Sequence, residues 1–389
     1  MALPVQIRKD TAAVWSSVNP TLAAGEFGME TDTGKIKIGD GTYAWNSLKY
    51  AATTGSVLSP IQRATTTGFL AGGEAPSRVE SLETFPFASS TNATDAGDLG
   101  PAAKGGVAFH IGNTSSTHGY LSGGQTTNSN NFKSNIRFPL TSPYLPAVSV
   151  GDLTHTMWKV GNGASSQDNG YLTGGTGLPG APTGYTKEVY KFPFASTADT
   201  GSSVSQDLYA GIGAGATCSG GSHGYYAGGD KDSSDSTFPS HPEYPAPNAD
   251  VSKIIQKWSF SSDADGTNVG DLANRSKESS SVSSPTHGYT LGEYGDPSSP
   301  ADITGGIQKF SFSSDGNGTH VGNLTVTQRT LRMGGGISST TFGYSAGGIV
   351  KGPFANSNVI DRFPFASDAG ASDVGDLTQS TIGASGHSI

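Results

Sequence analysis

Apolar and polar residues alternate in short runs along most of the chain, and glycine-containing turns separate the runs. Near the start, residues 26–32 and 35–39 alternate with the period of a strand. Thr33-Gly34 lies between them and is typical of a tight turn. Asp40-Gly41 follows as a second hairpin signal. This region is therefore predicted to be built mainly from strands.

A short helix is predicted before these strands. It would cover Thr11 to Trp15, with Asp10 or Thr11 as its cap, and Asn19-Pro20 would end it. Trp45 and Leu48 are expected to be packing residues. A unit of about 50 residues with so few apolar groups buries little surface and usually needs a metal, disulfides or oligomerisation. Cysteine is absent from this segment, which favours oligomerisation.

Three motifs recur six times in the rest of the chain. The first is a glycine followed by an aromatic residue and, in five copies, by a later Gly-Gly pair. Its copies begin at Gly68, Gly119, Gly170, Gly224, Gly288 and Gly343. The second has an aromatic residue, a proline or serine, and another large apolar residue, beginning at Phe85, Phe138, Phe192, Trp258, Phe310 and Phe363. The third resembles Gly-Asp-Leu and ends in Leu99, Leu153, Leu208, Leu272, Leu324 and Leu377.

Six units of about 50 residues, each with space for four short strands, predict a six-bladed β-propeller. The expected order is an inner strand, the Gly-aromatic strand, the Phe-Pro-Phe strand and an outer strand near Gly-Asp-Leu. The aromatic residue of each second strand is expected to pack between neighbouring blades. The first unit begins at its second strand, and residues 382–386 fall where an inner strand is due. The C-terminal strand is therefore expected to complete the first blade and remove an open edge.

Composition excludes several other classes of protein. The 389 residues include 56 Gly and 21 Pro, and charged residues make up only 14%, which disfavours helical bundles and doubly wound α/β enzymes. A net charge of −9 without a basic cluster disfavours nucleic-acid binding. No run is long and apolar enough for a membrane span or a secretory signal. Cys218 is the only cysteine, so no intrachain disulfide is expected.

The first 50 residues resemble the N-terminal domain of phage tropism-determinant and tail-fibre proteins. The shared positions are Gln6, Arg8, Thr11, Ala12, Trp15, Asn19, Pro20, Leu22, most of 25–41, Trp45 and Leu48. The resemblance implies a small, β-rich, intertwined homotrimer that attaches a distal domain to a virion. The motif residues of this trimerisation domain are Trp15, Glu26, Asp32, Asp40 and Trp45.

The double glycine of the repeats resembles that of kelch blades, although most units lack the later tryptophan of that family. Repeats that combine Phe-Pro-Phe-Ala-Ser with Gly-Asp-Leu-Thr also look like those of structural proteins from marine and cyanobacterial phages.

The polar residues that recur in the repeats are expected to be structural. His118, His223 and His287 each precede a Gly-Tyr pair and would lie in separate blades, which favours a turn or packing role over a metal site. Asp98, Asp152, Asp207, Asp271 and Asp376 are expected to accept hydrogen bonds from local backbone amides. The stretch from Asp263 to Gly266 lacks the full calcium-loop pattern, and Cys218 is expected to be a buried small residue. No metal, cofactor or catalytic residue is predicted.

One connection differs from the others in length. The segment between Gly-Gly and the next aromatic strand has 11 residues at 74–84 but 28 at 230–257. Long loops on a rigid scaffold commonly carry binding. Phe238 and Tyr244 would supply contact faces, with His241 and Glu243 as hydrogen-bonding partners. The alternative is that this segment contacts a neighbouring virion subunit or has no binding role.

These observations predict an all-β protein with an attachment and trimerisation domain at 1–50, a linker at 51–60 and a kelch-like propeller at 61–389. The leading hypothesis is a tail fibre or adhesin of a phage virion that binds a host-surface glycan or protein without catalysis. The alternative is a scaffold or decoration protein whose propeller docks other virion subunits. A glycan-cleaving tailspike is the third interpretation and has the least support, because no nucleophile and base can be paired. The expected partners are copies of the chain, other virion or tail proteins and the host surface.

Overall fold

The computed structural model describes residues 8–33, 35–48, 66–127, 132–154, 156–157, 162–175, 185, 187–195, 202–231, 251–262, 264–294, 303–326, 329–330, 335–350 and 355–389. The chain forms two compact units, Met1–Leu58 and Ser59–Ile389, here called unit 1 and unit 2. Strands account for 51% of the structure and helices for 5%, so the all-β prediction is confirmed.

Unit 1 contains a three-stranded sheet, one α-helix and one 3-10 helix. The strands are Arg8–Asp10, Phe27–Glu30 and Ile36–Ile38, with the first two parallel and the last two antiparallel. The α-helix Ala12–Val18 begins where Thr11 accepts a hydrogen bond from the backbone of Val14, and it ends at Asn19 in the left-handed conformation. The predicted helix and its two ends are therefore confirmed.

The hairpin predicted at Asp40-Gly41 is wrong. The Asp40 carboxylate accepts hydrogen bonds from the backbone N–H groups of Thr42 and Tyr43, at 2.9 and 2.8 Å. This turn leads into the 3-10 helix Trp45–Ser47 instead of a strand. An aspartate that bonds its own downstream backbone satisfies the turn locally, so no partner strand is required.

Unit 2 contains six four-stranded antiparallel sheets, numbered here by the order of their Gly-aromatic strands. From the inner to the outer strand, they are Ser385–Ser388, Thr67–Ala71, Ser81–Pro86 and Thr94–Asp98 (sheet 1); Ile111–Thr114, His118–Ser122, Ser134–Pro139 and Val148–Asp152 (sheet 2); Ala164–Ser165, Asn169–Thr173, Glu188–Pro193 and Ser202–Asp207 (sheet 3); Ala216–Ser219, His223–Ala227, Ile254–Ser259 and Thr267–Asp271 (sheet 4); Ser280–Ser283, His287–Tyr294, Ile303–Ser311 and Thr319–Asn323 (sheet 5); and Gly335–Ser338, Phe342–Ala346, Val359–Pro364 and Ser372–Asp376 (sheet 6).

The strand order within each sheet is the one that the three motifs predict. The Gly-aromatic strand is always second and the aromatic-rich strand is always third. The inner strands neighbour one another in the order of the sheets, and the inner strand of sheet 6 lies beside that of sheet 1. The last strand, Ser385–Ser388, pairs with Gly68 to Ala71. The strand nearest the C-terminus therefore completes the sheet that the first repeat begins.

Shorter elements extend the sheets at the end where the Gly-Gly turns lie. They are the paired strands Val107–Ala108 with Gln125–Thr126, Ile212–Gly213 with Asp230–Lys231, and the group Arg329–Thr330, Ile349–Val350 and Ala355–Asn356, while Gly100–Ala103 is a 3-10 helix. The Gly-Gly pairs have left-handed backbones, as at Gly72 and Gly73 with φ of +63° and +113°. Residues with a Cβ atom rarely adopt this conformation, which explains the glycine in the motif.

Aromatic side chains join each sheet to the next. In five sheets the tyrosine of the second strand lies against the second apolar ring of the third-strand motif in the following sheet, with ring centroids 4.7 to 5.1 Å apart. In sheet 1 Phe69 takes this place and meets Phe138 and Tyr144 of sheet 2. The contact between Tyr344 of sheet 6 and Phe87 of sheet 1 closes the series. The predicted packing of the second-strand aromatic between neighbours is confirmed.

Candidate functional site

The core of unit 1 is a pair of stacked tryptophans. The rings of Trp15 and Trp45 lie 4.0 Å apart and 14° from parallel, and Leu22 and Leu48 complete this buried cluster. A Cβ atom on Gly28 would lie 2.5 Å from Trp45, so the stack requires glycine there. The two tryptophans of the sequence motif therefore hold unit 1 together.

The three carboxylates of the motif bond backbone groups within the same chain. Asp32 accepts a hydrogen bond from the N–H of Ala12 at 2.8 Å, at the start of the helix. Glu26 accepts one from Ala23 at 2.8 Å. The two backbone bonds to Asp40 hold the pKa of its carboxyl group below the usual value. These motif carboxylates therefore shape the backbone of the unit.

Unit 1 also exposes large apolar side chains that the sequence motif did not single out. Val14, Val18, Phe27, Ile38 and Tyr43 are exposed by 39% to 63% in unit 1. They lie on the helix, on two strands and in the turn before the 3-10 helix. Exposed apolar side chains at this density mark contact surfaces.

The repeated histidines of unit 2 lie at the hairpins between the first and second strands. In each, the ring Nδ1 atom of His118, His223 or His287 is 2.8 to 2.9 Å from the hydroxyl of the preceding residue. Desolvation lowers the pKa of all three, with a smaller contribution from a nearby cationic side chain. Each histidine bonds within its own hairpin, as the predicted turn role requires.

The backbone-amide role expected of the repeated aspartates belongs to residues three positions earlier. Asp95, Asn268 and Asp373 accept hydrogen bonds from the N–H groups of the outer-strand glycines at 2.8 to 3.1 Å. Asp152 accepts instead from the hydroxyl of Ser134 at 2.8 Å. The prediction placed the hydrogen-bond acceptor one residue after the outer-strand glycine, whereas the structure places it two residues before that glycine.

A buried histidine pair at the junction of sheets 1 and 2 was missed by sequence reasoning. The Oγ atom of Ser385 lies 2.8 Å from Nε2 of both His110 and His387. His387 donates from Nδ1 to the carbonyl oxygen of Asn113 at 3.1 Å, so its Nε2 accepts the proton of Ser385. Desolvation lowers the pKa of both histidines to about 3. Two neutral histidines therefore tie the C-terminal strand to its neighbour.

Small polar residues line the centre of unit 2. Six hydroxyl residues stand opposite the motif glycines, one on each inner strand, at Thr114, Ser165, Ser219, Ser283, Ser338 and Ser388. They line a cavity of about 60 Å³. Asn162 reaches across it and donates to the carbonyl oxygens of Ser281 and Gly336 at 3.1 and 2.9 Å. The described part of the centre is therefore lined by hydroxyl and amide groups.

The candidate binding residues Phe238, His241, Glu243 and Tyr244 lie outside the described residues. The base of their connection is described, because Asp230 and Val251 form a bridge and Ser252 donates to the carbonyl oxygen of Gly229 at 2.7 Å. Asp263 also lies outside the described residues, and Cys218 is buried as expected.

In the part of the chain that the structure describes, no group of three or more His, Cys, Asp or Glu side chains could hold a metal ion. None of the helices in the described ranges is long and apolar enough to cross a membrane. The chain thus combines a small unit carrying exposed apolar side chains with a large ring of similar sheets.

The comparison with protein families identifies the class of the first unit. Residues 5–43 match the family model of the major tropism determinant N-terminal domain, which belongs to a phage tail-fibre family. A domain of this family suggests a tropism-determining structural protein of a phage tail and implies a location in the virion tail. The same match indicates association with other virion proteins. No curated protein matches the chain.

Proposed function

We propose that the chain is a non-catalytic tail-fibre protein that attaches through a homotrimeric unit 1 and binds the host surface through unit 2. The match of residues 5–43 to a tropism-determinant domain is the observation on which this proposal rests. The fold of unit 2 supports it, because six similar four-stranded sheets with neighbouring inner strands are what we expect of the proposed six-bladed, kelch-like propeller. Such a scaffold presents variable connections from rigid sheets.

The homotrimer is supported by the imbalance between core and surface in unit 1. Its described core is a cluster of four residues, whereas five large apolar side chains face solvent. Association of copies would bury those side chains and supply the stability that so small a core lacks.

Light scattering of the full chain tests the trimer. Wild type is expected to have three times the chain mass, and the double variant Val18→Asp and Phe27→Asp is expected to be monomeric. Val148→Asp is the matched control, because Val148 is an exposed valine of unit 2. A wild-type monomer at micromolar concentration would contradict the trimer.

Receptor binding is assigned to the long connection at 230–257, whose base is fixed by the Asp230 to Val251 bridge. Its prolines reduce the conformational freedom that binding has to restrict. Phe238 and Tyr244 are the proposed contact residues, with His241 and Glu243 as polar partners. Replacing both aromatic residues by alanine is expected to weaken attachment by about 2 kcal/mol or more.

The measurement is adsorption of phage particles that carry the double alanine variant to their host. Particles should assemble normally and adsorb poorly, and the melting temperature of the purified chain should not change. Normal adsorption would refute the receptor role. If particle assembly fails instead, the propeller docks virion subunits, as the scaffold interpretation requires.

A further inference from the structure

Two sheet boundaries of unit 2 carry the same set of three polar side chains. At the boundary of sheets 4 and 5, the set is His223, Lys257 and Asp315, here called the first boundary cluster. At the boundary of sheets 5 and 6 it is His287, Lys309 and Asp368, the second boundary cluster. In each, the histidine and lysine belong to one sheet and the aspartate follows the third strand of the next sheet.

The geometry of the two clusters is nearly the same. The lysine ammonium group is paired with the aspartate carboxylate in both, at 2.6 Å for Lys257 and Asp315. The carboxylates are 55% and 56% exposed and the lysines 24%. Each histidine ring lies 6.4 to 6.5 Å from the tyrosine two residues on. The two clusters are therefore equivalent sites on one scaffold.

Stability does not explain these charges well. An exposed ion pair contributes about 0 to 1 kcal/mol. The two boundaries are already joined underneath by stacked rings, Tyr225 on Phe312 at 4.7 Å and Tyr289 on Phe365 at 5.1 Å. The polar groups thus lie above a complete apolar contact, at the end of the sheets opposite the Gly-Gly turns.

The clusters are matched to a neutral ligand that both donates and accepts hydrogen bonds. A lysine ammonium group has three donors, and an aspartate carboxylate can accept several bonds, so one mutual bond leaves capacity on both sides. The histidine engages its preceding hydroxyl through Nδ1, which leaves Nε2 for another partner. Lysine and aspartate cancel in charge, and the lowered pKa keeps histidine neutral. Neighbouring hydroxyl groups of a sugar provide that combination of donors and acceptors.

The rest of the ring lacks this combination. At the boundary of sheets 6 and 1, Phe342 and Ser90 replace the histidine and the aspartate, and Arg362 stacks over Phe342 at 4.7 Å. At the boundary of sheets 3 and 4, Asn169 takes the place of the histidine. The full set occurs in the sequence at two boundaries, which predicts two sites per chain.

We propose that the two boundary clusters are equivalent carbohydrate-binding sites that contact vicinal hydroxyl groups of a host-surface glycan. This inference rests on the proposed receptor-binding function and adds to it a ligand class and two further sites, at the end of the sheets opposite the 230–257 connection. Each site alone would bind weakly. Two sites on one rigid unit would act together on a repeating polysaccharide, where linked binding raises avidity by roughly 10² to 10⁴.

Titration of the full chain with methyl α-mannoside and methyl β-galactoside, followed by ligand-observed NMR and calorimetry, tests the proposal. Wild type should bind at least one of them at two sites. Asp315→Asn and Asp368→Asn should each leave one site, and the double variant should bind at least tenfold more weakly. Asp373→Asn is the control, because this aspartate bonds the outer-strand backbone. Lys257→Met with Lys309→Met is a second pair in case the asparagine variants fail to fold.

Binding that is unchanged in both double variants, or no binding of either glycoside by wild type, would overturn the two sites. Adsorption of particles to their host separates this failure from failure of the proposed function. If particles adsorb and the sugars do not bind, the carbohydrate sites are wrong and the receptor role stands. If the sugars bind at two sites and unit 2 is dispensable for adsorption, the receptor role is wrong and the sites stand.

Discussion

The two units of the chain differ in how many of their large apolar side chains are exposed. Five of the six large apolar side chains that are exposed among the described residues belong to unit 1, although its described part is far shorter than that of unit 2. Unit 1 has one buried cluster of four residues, whereas unit 2 has six clusters. Unit 2 buries its apolar residues within one chain, whereas unit 1 leaves five large apolar side chains exposed.

The difference follows from how each unit is assembled. In unit 2 every sheet uses the next one to cover its aromatic residues, and Tyr344 meets Phe87 to close the series. Because the series of sheets is closed, no sheet has an uncovered end, and each additional sheet adds buried aromatic residues to the core. In the described part of unit 1 the core is the cluster of Trp15, Leu22, Trp45 and Leu48, and the short strands bury few further side chains. The stability of unit 2 therefore rests on contacts between sheets, and the proposed association of copies would supply what the small core of unit 1 lacks.

Deleting residues 382–389 is expected to have the largest effect on this comparison. It removes the inner strand of sheet 1 and the Ser385 and His387 contacts, leaving Thr67–Ala71 with an open edge. We expect unit 2 to lose more than about 5 kcal/mol, as measured by calorimetry of the soluble fraction. Deleting residues 1–48 should leave the melting temperature of unit 2 unchanged. An unaltered unit 2 transition in the chain that lacks residues 382–389 would show that pairing of the C-terminal strand does not stabilise unit 2.

Replacing one buried aromatic residue by alanine in each unit compares a core made of many clusters with a core made of one. Trp45→Ala in unit 1 and Phe192→Ala in unit 2 each remove a ring that is about 1% exposed, at a cost of roughly 3 to 5 kcal/mol. That cost is comparable to the whole stability of a unit of this length, about 2 to 6 kcal/mol. We expect calorimetry to show no unit 1 transition in the first variant and a lowered unit 2 transition in the second. Survival of unit 1 without Trp45 would contradict the single-cluster description.

Mild acid should lower the free energy of unfolding of unit 2 before it affects that of unit 1. The pKa of His110 and His387 is about 3 in the folded chain and about 6.5 in an unfolded one. Their contribution to stability is therefore present above pH 6.5 and is lost progressively as the pH falls from 6.5 towards 3. The hairpin histidines act in the same direction, and burial of Glu83, which raises its pKa, acts in the opposite one.

Thermal melts of the full chain from pH 7 to pH 5 measure this difference. Residues 1–58 contain no histidine, so the unit 1 transition should hardly move above pH 5.5. His387→Gln should reduce the slope of the unit 2 transition. Equal slopes in wild type and this variant would mean that the histidine pair does not control the acid response.

The smallest expected effect comes from adding one methyl group to a glycine that lies under an aromatic ring, once in each unit. A Cβ atom on Gly288 would lie 2.4 Å from the Phe310 ring, and one on Gly28 would lie 2.5 Å from Trp45. Overpacking of this kind costs about 2 kcal/mol. Gly288→Ala should lower the unit 2 melting temperature by a few degrees, and Phe310→Leu should restore part of it. Gly28→Ala should lower the unit 1 melting temperature by more, because the same cost is a larger share of the stability of a short unit. A Gly288→Ala chain that melts like wild type would argue against close ring packing on this glycine.

The second and third strands of each sheet could be predicted because their residues are distinctive. A glycine under an aromatic ring, a left-handed Gly-Gly turn and two large rings in the third strand each leave a mark in the sequence. The inner strands leave no such mark. At the centre, Gly336 has no room for a Cβ atom, which would lie 2.0 Å from the carbonyl oxygen of Ser281. Most residues of the inner strands are small, as in Gly335–Ser338, and glycine has low strand propensity, so these segments resemble loops in sequence.

The candidate contact surfaces were harder to predict for a related reason. An apolar residue in a short strand, such as Phe27 or Ile38, looks the same in sequence whether it faces a core or a partner. The Lys257 and Asp315 pair is separated by 58 residues, so only the packing of one sheet on the next brings the two together. His110 and Ser385 are still further apart in the chain and meet only after the ring is complete.

Pairing of Ser385–Ser388 with Thr67–Ala71 has a consequence for synthesis, because the two strands are made at very different times. Thr67–Ala71 leaves the ribosome long before its partner strand, and more than three hundred residues separate the two. At translation rates of 5 to 20 residues per second, its edge stays unpaired for roughly 15 to 60 seconds. Unpaired strand edges join other chains, and copies made on one messenger lie close together. Translation speed between these two strands therefore determines how long each nascent chain is exposed to misassembly.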